Sequence, residues 1–92
     1  MEHITPVHPG FVLKDELAEI GVSQTALARH LQVPRKTINE LCRGKRGLSA
    51  AMAVKLSCAL GASPQFWLNL QKNWELSRVD QLRVRDIKRI AA

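Results

Sequence analysis

Apolar residues recur along this chain at helical spacing. Leu13, Leu17 and Ile20 fall at i, i+4 and i+7, one stripe of a helix running from Pro9 to Ile20 and stopped by Gly21. Pro9 and Gly10 suit its opening turn, where backbone N–H groups have no intrahelical partner. Ser23 offers an N-cap for a second helix over residues 24–31, with Leu27, Ala28 and Leu31 on its inner side. Gln32-Val33-Pro34 interrupts it, because proline suits the first turn of a helix and not its interior. A third helix from Pro34 to Arg43 turns Ile38, Leu41 and Cys42 inward, and Gly44 ends it.

Ser49 caps a fourth segment in which Met52, Ala53, Leu56 and Leu60 share a face, closed by Gly61. Ser63-Pro64 opens a fifth, carrying Phe66, Trp67 and Leu70. From Trp74 to Ile90 the pattern weakens, yet Leu76, Val79, Ile87 and Ile90 still project onto one helical side. No segment alternates as a strand would, and no repeat or low-complexity run is present. The expected fold is all-α: five helices and a helical C-terminal extension, with the division between residues 1–73 and 74–92. Residues 1–8 read as an arm ahead of the first helix.

Composition agrees with an aliphatic helical core. Residues are 46% hydrophobic, only 4% aromatic, and tyrosine is absent. Charge adds more: 14 Lys and Arg against 8 Asp and Glu leave +6. Such a surplus points to a polyanionic partner, nucleic acid or an acidic protein.

The second and third helices say where that charge could act. Joined by a tight turn, they pack through Leu27, Ala28, Leu31, Ile38 and Leu41, with the small Ala28 permitting close approach. The outer face of the third helix then presents Arg35, Lys36, Thr37, Asn39 and Arg43 beside a single acid, Glu40. A major groove about 12 Å wide admits one helix, whose N-terminal side chains reach base edges. Arg35 and Lys36 in the first turn can donate to guanine O6 and N7. Asn39 can match an adenine edge with one donor and one acceptor, and Thr37 completes the base-reading set. Gln24, opening the second helix, is placed to meet a phosphate. Arg43, Lys45 and Arg46 form a basic stretch expected to grip phosphates on the flank.

These residues also carry a resemblance. Ser23 to Leu48, SQTALARHLQVPRKTINELCRGKRGL, resembles the phage-repressor (Cro/C1, lambda-repressor-like) helix-turn-helix. Within that group the chain looks like a HigA-family antitoxin. The matching pieces are His8-Pro9-Gly10, Val33-Pro34-Arg35, Ile38-Asn39-Glu40, Arg43-Gly44-Lys45-Arg46-Gly47 and Ser63-Pro64-Gln65-Phe66-Trp67-Leu68-Asn69-Leu70-Gln71. The resemblance implies a transcriptional autoregulator that binds palindromic operator DNA as a homodimer and neutralises a HigB-like toxin, a ribosome-dependent mRNA endonuclease. A stand-alone phage-type repressor without a toxin is the alternative. Phe11 departs from the family, which often has glutamate there.

Other residues receive quieter readings. Phe66 and Trp67 are expected in the core, with Asn69 and Gln71 as exposed polar positions. Cys42 and Cys58 are expected to pack as small hydrophobes; neither has zinc-like spacing. His3, His8 and His30 show no metal or catalytic arrangement, and His30 is expected on the exposed side of its helix. The tail has three readings: a solvated helix, a toxin contact, or a dimerisation arm in which Leu76, Val79, Ile87 and Ile90 meet a partner copy. No signal peptide, membrane span, cofactor or enzymatic site is expected, and the chain reads as cytoplasmic.

Overall fold

The computed structural model describes residues 6–91. His3 and the first five residues of the expected arm lie outside the described residues. Six helices follow in order: α1 (Pro9–Ile20), α2 (Gln24–Leu31), α3 (Arg35–Cys42), α4 (Ala50–Leu60), α5 (Pro64–Ser77) and α6 (Gln81–Val84). No strand occurs among the described residues.

Local chemistry sets these boundaries. The Oγ atoms of Ser23, Ser49 and Ser63 accept from the backbone N–H groups of Ala26, Met52 and Phe66 at 3.0–3.1 Å, the expected N-caps of α2, α4 and α5. Helix α2 ends at Gln32, whose backbone is left-handed at φ 59°. Pro34 stands just outside α3 as its cap residue, with no capping side chain, so α3 begins and ends one residue inside the expected limits.

Helices α1 to α5 close around one core: Leu13, Leu17, Leu27, Ala28, Ile38, Leu41, Cys42, Leu48, Met52, Ala53, Leu56 and Trp67. α2 packs on α3, α4 on α5, and α1 on α3. Gly10 is what allows α1 to sit so close. A Cβ built there would lie 1.6 Å from the Leu41 carbonyl oxygen, so only glycine lets α1 touch the α3 backbone.

Several expectations fail for geometric reasons. Ile20 is 50% exposed, because α1 ends as its stripe passes beyond the core. Phe66 is 44% exposed while Trp67 is 2%; neighbours on a helix point about 100° apart, and in α5 it is Trp67 that takes the inward direction. Gln71, four residues after Trp67, shares its buried face and is 5% exposed. Asn69 and His30 are exposed as expected. Cys42 is buried, which pushes its thiol pKa up, but Cys58 lies two residues past Leu56 and faces outward.

The tail is not one helix. Asp80 restarts the chain by accepting from Leu82 N–H at 2.9 Å, and α6 is only four residues long. Ile87 and Ile90 lie beyond it in non-helical backbone, so they share no helical side with Leu76 and Val79. Every residue from Glu75 to Ala91 is exposed. A one-turn helix without packing has little to sustain it further.

Candidate nucleic-acid interface

Helix α3 is split by periodicity into two faces. Ile38, Leu41 and Cys42 enter the core, leaving Arg35 and Lys36 exposed and Thr37, Asn39 and Glu40 half-buried at the rim. Cations at the start of a helix oppose its macrodipole, which favours negative charge there. Arg35 and Lys36 therefore do not serve α3 itself. With no capping side chain, the helix start combines uncapped N–H groups and two cations, a surface suited to anions.

Gln24 is brought to the same surface by the α2–α3 packing. Its Oε1 accepts from Asn39 Nδ2 at 3.2 Å, joining the first residue of α2 to the middle of α3. Ser23 fixes that helix start from one position away.

Beyond α3 the chain turns through Gly44 at φ 71°, with Gly44 N–H donating to Leu41 O at 3.0 Å and Lys45 N–H to Glu40 O at 2.8 Å. Arg46 folds back on Glu40, its Nη2 and Nε donating to Oε1 at 2.8 and 3.3 Å. That guanidinium, helped by the more distant charges of Lys36 and Arg43 and opposed by desolvation, holds the Glu40 carboxyl below its ordinary range. Arg35, Lys36, Arg43 and Lys45 form no ion pair with the described residues.

Two residues outside the motif shape this loop. His8 is buried, and its Nδ1 accepts from Gly10 N–H at 2.9 Å to cap α1. Its ring stands edge-on to Trp74 at 4.8 Å. Burial lowers its pKa, opposed by a hydrogen bond with the Arg46 backbone. Its place before Pro9-Gly10, where a helix must be capped, was the available signal. Gln71 is the second: its Oε1 accepts from Leu48 N–H at 2.8 Å, and the i+4 step from Trp67 was the clue. Phe11 lies over the end of α3, with its Cζ 3.2 Å from where a Gly44 Cβ would stand. The ring closes the loop against α1 where the resemblance implies glutamate.

Among the described residues no group of three His, Cys, Asp or Glu side chains could hold a metal. No described helix is long and apolar enough to cross a membrane.

Residues 13–67 match the Helix-turn-helix (HTH_3) family model. Virulence-associated protein A' of Dichelobacter nodosus is 44% identical over 77 residues, covering 83% of this chain and 67% of that protein. Antitoxin HigA-1 of Vibrio cholerae is 45% identical over 67 residues, 72% of this chain and 63% of its own length. The solved structure of Pseudomonas aeruginosa antitoxin HigA with the higBA promoter is 38% identical, with a TM-score of 0.83, covering 92% of this chain and 98% of that one. The chain belongs to the helix-turn-helix family and is a homologue of the HigA antitoxins. In this HigA homologue the family match spans Leu13 to Trp67, so His8 and Gln71 both support the loop from outside it.

Proposed function

We propose that the chain is an antitoxin that represses its own operon by binding operator DNA and, through a separate protein contact, neutralises a HigB-like mRNA endonuclease. The observation that carries the DNA half is the uncapped start of α3, where Arg35 and Lys36 are exposed against the helix dipole beside the coupled pair Gln24 and Asn39. The Pseudomonas homologue solved with promoter DNA supports the same reading. Arg35, Lys36, Thr37 and Asn39 meet base edges in the major groove. Gln24, Arg43, Lys45 and Arg46 meet phosphates.

A homodimer on a palindrome places two α3 helices about 34 Å apart on one face of the duplex. The exposed Leu76, Val79, Ile87 and Ile90 support the tail as its dimerisation arm. The activity is binding without catalysis or cofactor, carried out in the cytoplasm.

Titration of the DNA upstream of its own gene at physiological salt tests this reading. Salt-sensitive sub-micromolar binding is expected, with Arg35→Ala relaxing base preference. Absence of binding at micromolar protein overturns the DNA role. Failure of the neighbouring gene product to co-purify overturns the antitoxin role and leaves repression alone.

A further inference from the structure

We infer that Gln71 is a positioning residue for DNA binding, holding the loop that carries Arg43, Lys45 and Arg46 at a fixed height beside α3. The inference rests on the phosphate contacts proposed above. It concerns how those cations are kept in place.

The loop between Cys42 and Ala50 concentrates three cations in four positions, so mutual repulsion and loss of chain entropy work against a single conformation. Its first half is tied to α3 through the Lys45 N–H to Glu40 O bond and the Arg46–Glu40 pair. Its second half is tied to α5 by Gln71, whose Oε1 accepts from Leu48 N–H at 2.8 Å. The fit is tight: a Cβ at Gly47 would lie 3.3 Å from Gln71 Nε2.

The amide is held the right way round by a third residue. Gln71 Nε2 donates to Glu75 Oε1 at 2.8 Å. An ionised carboxylate only accepts hydrogen bonds, so Glu75 must face the NH2 end of Gln71 and leave its oxygen for the loop. Glutamine is the side chain that satisfies both neighbours while burying no charge. Because Gln71 is buried and its amide is engaged by Leu48 and Glu75, it touches no DNA in the proposed complex. It acts through the loop.

Operator titrations across a range of salt concentrations, with hydrogen exchange at the Leu48 amide, test this. Gln71→Leu keeps volume and removes both hydrogen bonds. It should weaken operator binding roughly 3- to 10-fold, reduce the slope of log affinity against log salt by about 1–2 as Lys45 and Arg46 lose register, and speed Leu48 exchange. Glu75→Leu, at an exposed position, frees the amide to turn and should show the same changes in smaller measure.

Wild-type salt slopes in both Gln71→Leu and Glu75→Leu, with folded melting transitions, overturn the inference. If wild-type protein binds no operator, the functional reading fails, and unchanged Leu48 exchange in Gln71→Leu separately removes the anchor.

Discussion

Gln24 and Asn39 share a hydrogen bond that leaves each with one end unspent. Asn39 gives one Nδ2 hydrogen to Gln24 and keeps Oδ1 and its second N–H, the pair an adenine edge requires. Gln24 keeps its NH2 group for a phosphate. Asn39→Ala should lose about 1–3 kcal/mol at a single base pair of the operator and little elsewhere. Gln24→Ala should weaken all sequences and also blunt preference at that same base pair. In a double-mutant cycle, a coupling of about 0.5–1.5 kcal/mol is expected. Strict additivity would show that the bond does not orient Asn39.

Glu40 restrains the operator surface in the other direction. It is the one acid on the outer face of α3, and it engages Arg46. Glu40→Gln removes a negative charge and releases the guanidinium, so binding to non-operator DNA should tighten and the specificity ratio fall. Competition between operator and random duplex at two salt concentrations reads this directly. Unchanged non-specific affinity would mean that the pair does not limit phosphate contact.

Gly10 is where α1 meets the α3 backbone. Gly10→Ala forces a methyl group onto the Leu41 carbonyl, and backbone cannot yield as a side chain tip does. A loss of about 3 kcal/mol is expected, at the upper end of overpacking costs, or a fall in Tm of roughly 12–24 °C for a domain of this size. Calorimetry at neutral pH measures it. A Tm within a few degrees of wild type would contradict the close approach.

His8 makes stability depend on pH. Burial holds its pKa below the usual 6.5, against the opposing Arg46 backbone bond. The unfolded chain thus takes up a proton at a higher pH than the folded one. The contribution of the neutral, capping imidazole is complete above about pH 6.5 and is lost as pH falls through the lowered folded-state value. Tm measured from pH 7.5 to 5.5 should decline in wild type and less steeply in His8→Asn, which retains a capping oxygen without titrating. Parallel declines would assign the pH dependence to other groups.

The starts of α2 to α5 were legible because each is marked by a residue with a definite job: Ser23, Ser49 and Ser63 as caps, and Pro34 as a barrier. The basic face of α3 was equally plain, since periodicity alone separates Arg35, Lys36 and Asn39 from Ile38, Leu41 and Cys42. The supports were harder to see. Gln71 reads as polar and therefore exposed unless its i+4 relation to Trp67 is weighed above its polarity. His8 and Gln71 meet the basic loop across distances in sequence that local patterns do not span. In the tail, apolar residues suggested a continuous stripe, but Asp80 is a good cap and ended the register.

All buried side chains of the described chain lie between His8 and Gln71, and nothing after Trp74 contributes to the interior. Substitutions beyond Ser77 thus change no internal packing of a single protomer. In the proposed homodimer such a substitution acts only between protomers: it alters how far apart two reading helices stand on the duplex, while each protomer's own fold registers no difference.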